Sequence, residues 1–441
     1  MKETVIQFGT GNFLRGFFDY FLHVINKKGL YEGKAVIVQP TSGKTGELIN
    51  AQGGKFNLLI RGIEDGKVVS NRTEITSLSR AVSPYTDFDD FLSLAENANF
   101  RFIVSNTTEL GIEFNPECRF NDRPAASYPG KLCQLLYRRF ELGLNGFIIL
   151  PCELIDRNGE ALRDAVLKYA SYWQLGDAFA DWIKSENRFC STLVDRIVTG
   201  YPTDGAEMLK KEIGYDDRLL NTAEPFHLWV IEGDFESELP LKKAGINVIW
   251  TDDVSPYKKM KVRILNGAHT SIVFLALLSD VQTVKEAVGN KLLCSFLNTC
   301  IFDYILPTIG DTMENRAFAN AVLERFANPY IDHLWKSISL NSVSKFTVRV
   351  LPTIKEYYQK NGTCPRPLVF ALACLVKYYK DADPLDNEAI VEKIRALDVE
   401  KILADRELFG EDISFLSDEL CLCTEKLCSY GITEAIKWAL S

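Results

Sequence analysis

Histidine is scarce in this chain, four among 441 residues, and none falls in an HxxxH or HExxH array. A histidine-held zinc centre, and hydride chemistry run through such a metal, are therefore not expected. Positive charge is also short: 50 Lys and Arg stand against 59 Asp and Glu, a net charge of −9. That balance argues against nucleic acid or an anionic membrane surface as partner. An anionic substrate would need a local cationic pocket instead. No apolar run reaches the roughly 18 residues of a membrane-spanning helix, and neither an internal repeat nor a low-complexity segment occurs. Because the sequence opens directly on a strand-like run, no signal peptide is expected. The eleven cysteines are accordingly expected to be free thiols of a cytoplasmic protein, most of them buried in apolar runs such as Ala371-Leu-Ala-Cys374-Leu-Val. Cys421 and Cys423 would point about 200° apart on a helix and cannot converge on one metal ion.

What is present describes a two-domain globular protein, since the length exceeds one usual core. Up to about residue 150, short β-branched or aromatic runs (4–8, 35–38, 56–61, 102–105, 146–150) alternate with helical stretches (17–26, 87–96, 130–142). That alternation predicts a largely parallel sheet with crossover helices, with further strands at 226–230 and 246–250 extending it. Beyond Tyr257 the pattern is helical to the end, punctuated by Pro307, Pro329, Pro352 and Pro365, and His333 is placed in one of these helices. The fold expected is α/β: a Rossmann-like domain over 1–250 and a mainly helical domain over 251–441.

Two motifs carry chemistry. The first strand ends at Phe8 and runs into Gly9-Thr-Gly11-Asn-Phe13-Leu-Arg15-Gly16 before a helix. Strand, glycine turn and helix is the context of a dinucleotide-binding turn: Gly9 permits the tight turn, and Gly11 lets the backbone approach a pyrophosphate. Leu14 stands where a third glycine would complete the fingerprint, and Arg15 offers a charged phosphate contact. The usual acidic residue after the second strand is missing, because that strand ends in Gln39-Pro40-Thr41-Ser42. The residues by themselves leave NAD and NADP both open. Two other strand ends are polar, Ser105-Asn106-Thr107-Thr108-Glu109 and Pro151-Cys152-Glu153, as capping turns or as a cofactor-side surface.

The second motif is KVRILNGAH, 261–269. On an α-helix Asn266 lies roughly 140° around from Lys261, with His269 between them at roughly 80°. An amine, an amide and an imidazole on one side of an apolar helix suit carbonyl–alcohol chemistry: a proton donor and acceptor, a carbonyl polariser and a positioning group. The alternative is a helix whose lysine snorkels to solvent while the amide caps a neighbour. For Lys261 to act as acid and base, its ordinary pKa of about 10.4 must fall through desolvation or nearby positive charge.

Together these motifs resemble the mannitol dehydrogenase family, the zinc-independent polyol-specific long-chain dehydrogenases. The resemblance runs through IQFGTGNFLRGF, VVSNRTEITSLSR, FIVSNTTELGI, FIILPCELI, FCSTLVDRIVTGYP, EPFHLWVIEG, KVRILNGAHTS and SISLNSVSKFTVRVLP. Two segments, QPTSGKTGELINAQGGKFNLLIRG and SISLNSVSKF, resemble its tagaturonate branch. The resemblance implies an NAD-dependent oxidoreductase that interconverts D-tagaturonate and D-altronate. Fructuronate–mannonate and mannitol–fructose are sister activities, and a nucleotide-binding sensor without turnover is an alternative of another class. It further implies Lys261 as general acid/base, Asn266 on the carbonyl or alkoxide oxygen, and His269 on substrate. Ser191 stands where mannitol-type members have an asparagine as second oxyanion donor, and Lys258 where some carry a glutamate. Expected cofactor-binding residues are Phe8, Gly9, Gly11, Asn12, Phe13 and Arg15, with Gln39, Asn106, Thr107 and Glu109. Lys345, Asn341 and His227 are expected to meet a small sugar-acid substrate, with Arg349 a further cation near the carboxylate. No metal is expected, and the oligomeric state is left open.

Overall fold

The computed structural model describes the whole chain except Thr108, Thr203 and Asp204 and the side chains of Glu109, Leu110 and Ala206. Two compact units result: Met1–Arg61 with Val69–Val254, and Gly62–Val68 with Ser255–Ser441.

The first unit is organised by a six-stranded sheet whose spatial order is Leu78–Val82, Gly33–Val38, Lys2–Phe8, Phe102–Ser105, Ile148–Pro151, Arg188–Phe189. Every pairing in it is parallel. Counted along the chain this is the order 3-2-1-4-5-6 of the dinucleotide-binding fold. Period-2 alternation sends Val5, Ala35, Ile37, Val104 and Leu150 into one core, and Ile6, Phe8, Val36, Ile103 and Ile149 into another. Both faces are thus covered, which is why these strands read as unbroken apolar runs. The chain order reverses between Lys2–Phe8 and Phe102–Ser105, and ligands of such sheets bind at the carboxyl ends of the strands at that point.

Three expectations about strands are corrected. The run beginning at Phe56 leaves the parallel sheet: Phe56–Glu64 lies between Asn221–Ala223 and Lys67–Ile75 in a separate three-stranded sheet. Its connection to Lys67–Ile75 is Asp65-Gly66, both at positive φ, the two-residue hairpin turn that Asp-Gly favours. Leu228–Glu232 and Val248–Thr251 do not extend the first sheet either. They pair in parallel with each other, and Leu228–Glu232 pairs antiparallel with Thr192–Asp195, in a third sheet. Alternating hydrophobicity identifies a strand but not its neighbours, and here long connections choose them.

In the second unit the helix Gly267–Leu278 is buried nearly all round, as befits a helix central to its core. Ser255–Lys261 runs into it through a π-helical turn, Val262–Asn266. The combined helix Ser255–Leu278 and the helical run Lys291–Ile309 are each long and apolar enough to cross a membrane, with 67 % and 39 % of their apolar windows buried inside the protein. This corrects the expectation that no segment reaches that length: the polar motif interrupts the apolar run in the sequence, but not the helix. His333 is not helical. It sits in an extended stretch whose neighbour Leu334 bridges Thr283, and its carbonyl accepts from Val284 N at 3.0 Å.

Candidate active site

In the first unit, Gly9 and Gly11 differ in what a side chain would meet. Gly9 sits at φ +136°, and a Cβ there would stand 3.1 Å from the Asn106 carbonyl oxygen and 3.2 Å from Leu14 Cδ1. Its N–H donates to Val38 O at 3.2 Å, so the turn is clamped between neighbouring strand ends. A Cβ on Gly11 would meet nothing within 4 Å, which leaves an open cradle beside a backbone of ordinary extended geometry (φ −69°, ψ 165°). The open space at Gly11 and the close approach at Gly9 fit the pyrophosphate of a dinucleotide. The helix after the turn is divided into Asn12–Arg15 and Phe18–Lys27. Arg15 is turned inward: it donates to Thr10 O at 2.7 Å and Asn12 Oδ1 at 2.5 Å. Its guanidinium therefore braces the turn from beneath. Phe8 is fully buried, Asn12 is exposed, and Phe13 stacks on Phe17 at 4.9 Å.

The other strand ends are braced by buried polar side chains. Gln39 donates to Thr41 O at 2.9 Å and to Gly43 O, and accepts from Gly46 N at 2.7 Å. Its amide thus closes the loop that follows the second strand. Asn106 Nδ2 donates to Cys152 O at 2.7 Å. Glu153, 2 % exposed, accepts from Thr107 N at 2.9 Å, Thr107 Oγ1 at 3.1 Å and Ser105 Oγ at 3.1 Å. Burial pushes its carboxyl above the usual range while these donors pull it back. Glu153 joins two strand ends where the sequence expected a cofactor-side surface. The side chain of Glu109 lies outside the described residues.

Ser191 is fully buried, and its hydroxyl has no hydrogen-bond partner. Its N–H donates to Glu232 Oε2 at 3.1 Å, and its carbonyl accepts from Glu232 N at 3.0 Å. His227 is engaged at both ring nitrogens, Nδ1 with Pro225 O at 3.0 Å and Nε2 accepting from Asn247 N at 3.1 Å. Burial, and then the nearby Arg196, lower its pKa to about 4. This geometry makes His227 a neutral structural link between Pro225 and Asn247.

The second unit carries the lysine helix. Its π turn spans Val262–Asn266, and bonds running i→i+5 bring residues five apart toward one face. Lys261 and Asn266 therefore lie closer to a common face than the 140° of a regular α-helix. The Asn266 side-chain amide has no hydrogen-bond partner among the described residues, while its carbonyl accepts from Thr270 Oγ1 at 2.9 Å. A Cβ on Gly267 would lie 3.2 Å from Arg349 O, so this glycine admits the end of the helix Ser342–Arg349.

His269 stands in an aromatic cage. Its ring stacks on Phe326 at 4.2 Å, with His333 at 5.3 Å and Trp335 at 6.1 Å. Its Nε2 and the Trp335 Nε1 are buried without partners. Burial first, then the positive surroundings of His333, Arg325, Arg349 and Lys345, hold its pKa well below the ordinary value. Lys345 and Arg349 lie one turn apart, and their hydrogen bonds among the described residues go to neutral oxygens: Ile338 O at 2.9 Å and Thr270 Oγ1 at 3.5 Å. Burial lowers both pKa values; Arg349 lowers that of Lys345 further, while the nearby Asp386 opposes the fall. Asn341 is exposed at φ +54° at the start of their helix. The sequence reading missed Arg325, Phe326 and Trp335, which are distant in the chain from the motif and carry no signal of their own.

Two family models match this chain: the mannitol dehydrogenase Rossmann domain over residues 3–243 and the mannitol dehydrogenase C-terminal domain over 253–416. The chain belongs to the mannitol dehydrogenase family. It is an oxidoreductase with a Rossmann domain and a helical C-terminal domain. It is 45 % identical over 388 residues to the altronate oxidoreductase of Escherichia coli O7:K1, covering 86 % of this chain and 80 % of that protein. Its identity to the altronate oxidoreductase of Cronobacter sakazakii is 44 % over 400 residues, 88 % of this chain and 83 % of that one. Among solved structures, a substrate-free D-sorbitol dehydrogenase has the same fold with a TM-score of 0.88 at 23 % identity, over 99 % of this chain and 95 % of that one. A Pseudomonas fluorescens mannitol 2-dehydrogenase, solved as a ternary complex with NAD and D-mannitol, aligns with a TM-score of 0.74 at 22 % identity, over 100 % and 94 %.

Proposed function

We propose that this member of the mannitol dehydrogenase family is an NAD-dependent oxidoreductase that interconverts D-tagaturonate and D-altronate, with Lys261 as general acid/base and no metal. The observation that carries the sugar-acid reading is the cationic pair Lys345 and Arg349, whose side chains among the described residues hydrogen-bond neutral oxygens, beside the unpartnered His269 Nε2. A substrate carboxylate supplies the charge-assisted partner that this group lacks. The relatives named altronate oxidoreductase, at 44–45 % identity, support the same substrate pair.

Gly9, Gly11, Asn12 and Phe13 would hold the dinucleotide, with Asn106 and Thr107 at the next strand end. Bound NADH would supply the hydride that the keto-uronate's carbonyl carbon takes up. Lys261 gives the proton that converts the resulting alkoxide to a hydroxyl, and takes it back in oxidation. The free amide of Asn266 donates to that oxygen as negative charge builds on it. The buried, partnerless hydroxyl of Ser191 is assigned as a further donor. His269, kept neutral, holds a substrate hydroxyl, and Asn341, exposed at the start of the helix that carries Lys345, is assigned to the substrate as well. All eleven cysteines are free, which fits a reducing cytoplasm.

The test is the initial rate of NADH oxidation by the purified protein with tagaturonate, fructuronate and fructose in parallel. Preference for tagaturonate by at least tenfold in kcat/KM is expected. A clear preference for fructuronate or fructose overturns the substrate, and tight NADH binding with no turnover on any sugar acid would favour a sensor.

A further inference from the structure

Two polar residues interrupt apolar runs of the first domain that the mechanism leaves unused. Gln7 lies in the strand VIQF, and Asp19 lies in the helix FFDYFL; both are fully buried. They meet beneath the nucleotide turn. Gln7 Nε2 donates to Gly9 O at 3.2 Å and to Asp19 Oδ2 at 3.4 Å. Arg15, whose charge faces Asp19, holds Thr10 O and Asn12 Oδ1 on the other side of the turn. Three atoms of this knot are buried without partners: Gln7 Oε1, Asp19 Oδ1 and Arg15 Nε. Two of the three are acceptors, so the cluster is short of a donor. A proton on Asp19 turns one of those acceptors into a donor.

We propose that Asp19 is a proton-linked positioning residue of the nucleotide turn: its protonation and the binding of a dinucleotide's pyrophosphate favour each other. The proposal rests on the reading that the turn from Gly9 to Arg15 holds the dinucleotide. With Asp19 ionised, it and Asp217 together outweigh the Arg15 charge, and the knot under the turn opposes an incoming dianion. With Asp19 neutral, Asp217 alone offsets Arg15 and that opposition falls, a term that a low-dielectric interior makes large. Binding must then raise the proton affinity of Asp19 by the same factor that protonation raises nucleotide affinity.

The surroundings identify the group that titrates. Burial raises the Asp19 pKa to about 7, with Gln7 and Arg15 opposing that rise. Arg15 is the charged group facing it from the turn, and the hydroxyl of Ser77 donates to its backbone carbonyl at 2.6 Å. Arg15 is in turn faced by Asp217, whose carboxylate is already held by Asn57, Gln52 and the Leu219 N–H. One turn along the helix, burial and then Lys27 lower the His23 pKa while Glu74 opposes them, and Nδ1 of His23 lies 3.3 Å from the Thr76 hydroxyl. Asp19 is the group in this knot that changes charge near neutrality.

The experiment measures NADH affinity of the full chain by fluorescence titration from pH 5.5 to 8.5, with calorimetry at pH 7 in buffers of different ionisation enthalpy. The wild type should bind about five- to tenfold more tightly at pH 6 than at pH 8 and should take up a fraction of a proton on binding. Asp19→Asn should bind as tightly as the wild type at low pH and show no slope across that range, and Asp19→Glu should restore the slope. The calorimetric arm uses only the wild type, so a variant that fails to fold does not spare the proposal. NADH binding with a flat profile and no proton uptake overturns the role of Asp19 alone. A slope that persists in Asp19→Asn does the same, and absence of NADH binding overturns the nucleotide reading together with it.

Discussion

Alanine at Gly9 and alanine at Gly11 should fail in opposite ways. At Gly9 the backbone stands at φ +136°, and the new Cβ would press on the Asn106 carbonyl at 3.1 Å and Leu14 at 3.2 Å. Asn106 has little room to withdraw, since its N–H bonds Phe8 O at 3.2 Å and its side chain bonds Cys152 O at 2.7 Å. Strain in a glycine-only conformation costs about 1–3 kcal/mol, and the forced contact adds to it. A total of roughly 2–4 kcal/mol would lower the melting temperature of a domain this size by about 5–15 °C. Gly11 occupies a conformation open to any L-residue, and its Cβ meets nothing. Gly11→Ala should therefore fold with stability unchanged or raised by about 0.5–1 kcal/mol. Its methyl group instead fills the cradle, and an overpacked contact of about 1–3 kcal/mol predicts NADH binding weaker by roughly 5- to 150-fold. Thermal melts and NADH titrations on the two variants separate these effects. A Gly11→Ala variant with wild-type NADH affinity would refute the assignment of the cradle, and a Gly9→Ala variant with an unchanged melt would refute the strain reasoning.

Lys261→Ala should keep NADH affinity and lose roughly two to four orders of magnitude in turnover; turnover within a few-fold of wild type removes Lys261 from the mechanism. Arg349→Met should raise KM for the hexuronate by about tenfold or more while NADH affinity holds, because one charge-assisted carboxylate bond is worth about 1.5–3 kcal/mol; an unchanged KM would mean the carboxylate binds elsewhere. His227, with a folded pKa of about 4 against an ordinary 6.5, contributes stability that is present above pH 6.5 and lost as pH falls toward 4. Chemical denaturation of wild type and His227→Gln across that window should show the acid loss only in the wild type. Asp19 has the opposite sign: its folded pKa of about 7 against 3.8 gives stability that is full below pH 3.8 and lost as pH rises through 7. Asp19→Asn should therefore gain on the order of 1–4 kcal/mol over wild type at pH 8 and nothing at pH 4; equal gains at both values would point to packing instead.

The residues alone determine those features whose physics is local. A strand ending in Phe8, two glycines and a following helix specify the turn, because only glycine takes φ +136° at Gly9. The alternation of apolar runs and helical stretches likewise specifies a parallel sheet covered on both faces. The polar residues of KVRILNGAH mark a helix that has to meet something polar. The family is also legible in those motifs, as the two matching domains bear out. Tertiary structure decided what depends on partners far along the chain. It set the order of the strands and moved Phe56–Glu64 and Leu228–Glu232 into sheets of their own. It turned Arg15 inward, because the carbonyl of Thr10 and the side chain of Asn12 offer it bonds that no linear pattern displays. It engaged both nitrogens of His227 and set Arg325, His333, Lys345 and Arg349 around His269. It also wound Val262–Asn266 as a π turn, because hydrogen-bond register within a helix answers to packing on both sides, whereas side-chain periodicity assumes one pitch throughout.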